Sequence, residues 1–166
     1  MTRAQSRLTP YNDAYPTCER TSAKLLIYPG SARTPSQITK SLGIEPTEAV
    51  SLGESATNSL GISRTAKSAR WSLDSEGHVS SLDLRRHLDW LLDRLEPSSK
   101  ELLELQWHRG VGMAVDCIWW SRGGQGGPTL WPEQMLRLAN LNLECSFSLA
   151  FFGEDEVPMG PTLDRG

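Results

Sequence analysis

Cysteine is scarce in this chain. The three, Cys18, Cys117 and Cys145, are an odd number at wide spacings, and no C-x-x-C pair occurs. That excludes a zinc ribbon, a thioredoxin-type dithiol and a disulfide framework written in the sequence. Cys117 and Cys145 stand in apolar runs, where a thiol behaves as a small hydrophobe, so reduced core thiols are expected. Histidine is equally sparse. His78, His87 and His108 show neither H-x-x-x-H nor H-E-x-x-H spacing, so no metal and no cofactor is expected. No G-x-S-x-G elbow is present, and the serines fall where caps and turns need hydroxyls. No catalytic residue is therefore assigned. Long apolar runs are missing too: nothing approaches the ~20 residues of a membrane span. The opening "MTRAQSRLTPYNDAYPTCER" has no signal-peptide core, so a cytoplasmic location is expected. Excess charge is absent as well. A net charge of −3 argues against a dedicated nucleic-acid binder.

What is present is punctuated secondary structure in 166 residues, enough for one domain. "SAKLLIY" (22–28) predicts a buried strand. "TPSQITKSLGIEPT" (34–47) predicts a two-turn helix. Thr34 caps it, Pro35 starts it, Ile38 and Leu42 share a face, Gly43 ends it and Pro46 forbids continuation. A short strand is expected near 48–52, then a loop, then a strand over 65–73 closed by "DSEG". Ser80 or Ser81 should cap the strongest helix, whose Leu84, Leu88, Leu91, Leu92 and Leu95 form one stripe. Ser98 and Glu101 have capping-box spacing for a helix through Leu105. A strand over 111–120 follows, then the loop "SRGGQGGP". Next come a helix from Trp131–Pro132 with Met135, Leu138 and Ala139 inward, and a strand over 143–152.

Two helical segments echo each other without gaps. "PSQITKSLGI" (35–44) and "PEQMLRLANL" (132–141) share the initial proline, a glutamine two residues later and a basic residue further on, and Gly43 aligns with Asn140. Each lies between strands. The expected fold class is α+β: one antiparallel or mixed sheet packed by helices on one face. It is built from two β-α-β halves of ferredoxin-like flavour, with the leucine-rich helix inserted between them. The expected organisation is a flexible arm over 1–21, a single domain over 22–153 and a flexible tail over 154–166.

Ile38, Thr39, Leu42, Gly43, Ile44, Pro46, Thr47, Gly53, Trp71 and Leu73, followed by the leucine-rich helix, resemble the pattern of a bacterial domain-of-unknown-function family, DUF4279. The resemblance spans roughly 23–152 and implies a fold neighbourhood without an activity. The 1–21 arm, the "SATNSLGIS" insert and the "SRGGQGGP" loop depart from it.

Tryptophan is the unusual abundance, at six residues. Trp119 and Trp120 are adjacent in an expected strand, so they point to opposite faces. Together with Trp131 and the nearby Arg109 and Arg122 they have the composition of a binding hot spot. The leading expectation is a non-enzymatic module that binds another protein there, of immunity or toxin-antagonist type. The alternative is a small-molecule or anion site between the sheet and the Gly123–Gly127 loop, held by Arg122 and Arg109. A homodimer through the apolar last strand is a third reading. The charged residues around Asp89 and Asp93 read as a solvated helix face with ion pairs along it.

Overall fold

The computed structural model describes residues 9–152. The expected tail, and the arm's first eight residues, lie outside the described residues. The elements run β1 (Cys18–Tyr28), α1 (Pro35–Leu42), β2 (Glu48–Val50), β3 (Ser55–Thr57), β4 (Ser63–Thr65), β5 (Arg70–Asp74), α2 (Leu84–Leu95), α3 (Ser99–Gln106), β6 (Gly112–Arg122), α4 (Pro132–Asn140) and β7 (Glu144–Phe152), with a 3-10 turn at Glu96–Ser98. The fold is α+β. Five strands form one mixed sheet in the order β2-β5-β1-β6-β7, and β3 and β4 make a separate hairpin.

The pairing explains the ferredoxin-like character. β1 is antiparallel to both β5 and β6, and β2 is antiparallel to β5. So β1-α1-β2 spans β5, while β5-α2-α3-β6 spans β1: two interlocked split β-α-β units. The leucine-rich helix is thus a crossover of the ferredoxin-like unit itself. The second echoed helix, α4, joins β6 to a parallel β7 and extends the sheet by one strand.

Alternation along the strands divides the sheet into two faces. Ala23, Leu25 and Ile27 of β1, with Val115, Cys117 and Trp119 of β6, are buried in one core. It also holds Ile38, Leu42 and all five leucines of the α2 stripe. The opposite face, with Lys24, Leu26, Asp116, Ile118 and Trp120, is only half-buried.

Several boundaries differ from expectation for local physical reasons. β1 starts at Cys18, not Ser22, because the polar Thr21 and Ser22 are buried in the ladder beside β6. The expected strand over 65–73 is two strands, β4 and β5. β3 and β4 carry no apolar alternation, and what builds their hairpin is the Asn58 side chain accepting from the Leu60 and Ile62 amides. Asp83, not a serine, caps α2, accepting from the Arg85 amide. Ser98 gives α3 no side-chain cap; its hydroxyl donates to the Leu42 carbonyl, closing the end of α1 instead. In α4, Met135 and Ala139 face outward while Gln134 and Leu138 are buried.

The echo itself is real at the helix starts. Thr34 N–H donates to Gln37 Oε1 at 2.8 Å, and Trp131 N–H donates to Gln134 Oε1 at 3.0 Å, the same reach-back in both. At the ends the two diverge. Gly43 takes the left-handed conformation at φ 64°, whereas the positive φ after α4 falls on Asn142, not Asn140.

Candidate functional site

The tryptophan cluster expected from sequence is dispersed. Trp119 lies on the helix side of β6 and is 1% exposed, with Tyr15 packed edge-on at 5.1 Å. It is core, and the structure removes it from any binding surface. Trp120 lies on the other face, half-buried, with the Arg20 guanidinium 4.6 Å from its ring. Arg20 in turn pairs with Glu76.

Trp131 belongs to a third place. It stands at the N-cap of α4, donates from Nε1 to the Thr9 carbonyl at 3.0 Å and meets Tyr11 with ring centroids 4.4 Å apart and planes tilted by 53°. The Arg85 guanidinium sits 4.8 Å from its ring. Arg85 is fully buried and donates to both Asp83 oxygens and to the Thr9 and Pro10 carbonyls. Burial pushes the Asp83 carboxyl up, but hydrogen bonds from Arg85 and the Asn12 amide outweigh it, and the net displacement is downward. This clasp ties residues 9–13 to α2 and α4. Burial and a hydrogen bond to Asp89 push the Tyr11 phenol up to about 12. Sequence reading missed the clasp because residues 9–13 carry no period; Arg85, inside a leucine stripe, was the available signal.

The arginines do not converge. Arg122 is committed to Glu19, with Nε–Oε2 at 2.8 Å. Arg109 is exposed in the turn before β6, and Arg122 ends that strand. Ten residue steps of about 3.3 Å put some 33 Å between the ends of β6, too far to share one small anion. The glycine loop folds back on β1. Ser121 Oγ donates to the Gln125 carbonyl at 2.6 Å, and a Cβ on Gly126 would meet Thr17 Oγ1 at 2.5 Å. Gly126 serves close approach to Thr17, and the geometry does not unite Arg109, Arg122 and the loop into one pocket.

A cleft of about 720 Å3 lies elsewhere, lined by Gly43–Thr47, Leu73, Glu76, His78, Trp90 and Arg94. His78 stacks on Trp90 at 4.8 Å and 19°, and Arg94 sits 3.8 Å from the same ring. Acids and bases alternate around it, so it carries no single charge preference. Apart from the local Arg85–Asp83 pair, the ion pairs described for α2 are tertiary: Arg137 of α4 bridges Asp89, Asp93 and, just past the helix, Glu96, and Arg86 reaches Asp13. Among the described residues no cluster of three or more His, Cys, Asp or Glu side chains has metal-binding geometry. The cysteines are free; Cys117 and Cys145 have their sulfurs 3.8 Å apart. No described helix is long and apolar enough to cross a membrane.

The family model described as "Domain of unknown function (DUF4279)" matches residues 19–152. The chain belongs to this family. No curated protein and no solved structure matches it significantly. In this DUF4279 domain the LGIEPT segment has visible structural work. Trp71 Nε1 donates to Thr39 Oγ1 at 3.0 Å. Ile38 and Leu42 fill the core, and Ile44 packs against it. The Thr47 amide and hydroxyl both donate to the Ser72 carbonyl, and the hydroxyl accepts from the Asp74 amide. Each of these residues welds α1 and the entry to β2 onto β5.

Proposed function

We propose that the protein is a non-enzymatic, bacterial cytoplasmic protein-binding module that holds its partner on the open face of the sheet. Capture of this kind suits an immunity or toxin-antagonist role. The observation that carries the reading is Trp120 on the face opposite the helices, with Arg20 against its ring. Register puts Leu26, Ile118 and Tyr28 on that same face, and Tyr28 is 43% exposed. Tryptophan, tyrosine and arginine are the side chains most enriched at binding hot spots; the two aromatics offer large area with few torsions to freeze, and arginine offers a planar fork of donors. Burying the rest of such a tryptophan against a partner gives a driving force without any catalytic group.

The test compares Trp120→Ala with the wild type. We expect the variant to keep a cooperative melt and to lose about 2 kcal/mol or more of partner binding, roughly 30-fold in affinity. Normal partner binding by a folded Trp120→Ala protein would sink this surface. The anion-site alternative keeps little support, since Arg122 is held by Glu19 and Arg109 stands at the far end of β6.

A further inference from the structure

The two edges of the five-stranded sheet are built very differently. At one edge β2 has three residues and begins with the exposed Glu48. Short strands and charges are ordinary ways of blunting an edge against unwanted pairing. At the other edge β7 has nine residues and, among the described residues, pairs on one side only, with β6. From Cys145 to Phe152 it contains no charge, no proline and no glycine.

Three large apolar side chains of β7 are exposed as well. Register sets Phe147, Leu149 and Phe151 beside Cys117, Trp119 and Ser121, on the helix-covered face. Their partners on β6 are buried, yet these three are 42%, 51% and 58% exposed. The helical layer stops short of β7 and leaves an apolar stripe beside an open backbone edge. An apolar stripe along an unblunted edge marks an interaction surface.

The sequence of the strand says what fits there. It is self-complementary about Ser148. Phe147 and Leu149 flank the centre with large groups, and Ser146 and Ala150 follow with small ones. In self-pairing across a two-fold axis, residues equidistant from the centre stand opposite each other, so this symmetry sets large groups against large and small against small. With the axis at Ser148, Phe147 meets Leu149 of the second copy, and Ser146 meets Ala150. Glu144 stands opposite position 152, so no carboxylate faces another.

We propose that two copies of this chain join through β7, edge to edge and antiparallel, about a two-fold axis at Ser148. The pairing makes one continuous ten-stranded sheet and brings both Phe147-Leu149-Phe151 stripes together on one face. A single strand edge with three half-exposed side chains is small beside the roughly 800 Å2 per partner of a standard interface. The dimer is therefore weak and concentration-dependent. The inference is independent of the Trp120 surface, which lies on the opposite face of the sheet.

Sedimentation velocity on the full chain, from micromolar to millimolar concentration, is the test. The wild type should pass from monomer to dimer as concentration rises. Leu149→Lys, an exposed position given a natural edge-blunting charge, should stay monomeric with an unchanged melt. Ser148→Cys should form a dimer cross-linked at position 148 when oxidised glutathione accepts the two electrons and two protons of the paired thiols. A wild type that is monomeric throughout overturns the proposal, including the case in which residues 153–166 cover the edge. So does a dimer that Leu149→Lys leaves intact and that position 148 fails to cross-link.

Discussion

At the scale of single residues, neighbours in sequence do opposite work. Trp119→Ala should empty a core site and cost about 3–5 kcal/mol of stability in chemical denaturation, whereas Trp120→Ala should leave the melt cooperative. The sequence showed that the two rings point apart. Parity with Asp116 was the unused signal that Trp120 is the outer ring, since Trp119 shares the parity of Val115 and Cys117; the sequence reading left open which of the two is exposed. What was not legible was that Trp131 and the arginines would be drawn to separate partners in distant segments. His87 makes a second residue-scale case. It is 2% exposed, accepts at Nδ1 from Ser75 and donates from Nε2 to the Ser81 carbonyl, and Ser75 Oγ itself accepts from the Ala23 amide. Burial holds its imidazole below the ordinary value, against the pull of the Ser81 carbonyl, Asp74, Asp83 and Glu76. The unfolded chain then binds this proton more tightly than the folded one. The neutral histidine's contribution is complete above an ordinary pKa of 6.5 and is lost as pH falls through and below it. Urea midpoints should drop as pH falls below about 6.5, and His87→Gln should flatten that slope. An unchanged slope in the variant would assign the acid sensitivity elsewhere.

At the scale of elements, capped helices were legible and side-chain-built turns were not. α1 follows its sequence closely because every signal is local: Thr34, Pro35, Gln37 and Gly43 act within a few residues of one another. Gly43 has a positive φ and open space where a Cβ would sit. Gly43→Ala should therefore cost only the backbone term, about 1 kcal/mol, measured by thermal or urea unfolding. A much larger loss would mean that the cap has a tertiary role. The α2 cap was misread although Asp83 directly precedes the helix: its bonds to the Arg85 amide and guanidinium are local, and only the bond from the Asn12 amide is brought in by the fold. The β3–β4 hairpin was invisible because its strands are three residues long, fully exposed and free of apolar alternation.

At the scale of the molecule, the family motif and the proposed contact surfaces occupy different places. The LGIEPT residues fix α1 and β2 against β5, at one end of the sheet order. Trp120 stands on β6, the strand next to the opposite edge, and β7 forms that edge. Family resemblance here describes the scaffold, which explains why it names a fold without an activity. The N-terminal clasp belongs to this scale as well, because Arg85 joins two helices to residues 9 and 10. Asp83→Ala leaves a buried guanidinium without its carboxylate and should cost about 3–5 kcal/mol. Arg85→Met with Asp83→Leu, removing both charges, should cost less than Asp83→Ala alone. Denaturant unfolding of the two variants beside the wild type measures the difference, and equal losses would argue against burial of the charge as the cause. The central claim is that this scaffold works by capturing a protein on its open sheet face. Native mass spectrometry of the protein recovered from its own host at low salt tests that most directly, with Trp120→Ala beside it. The account predicts a stoichiometric protein adduct on the wild type that is absent from the variant. A small-molecule adduct carried equally by both proteins would contradict it.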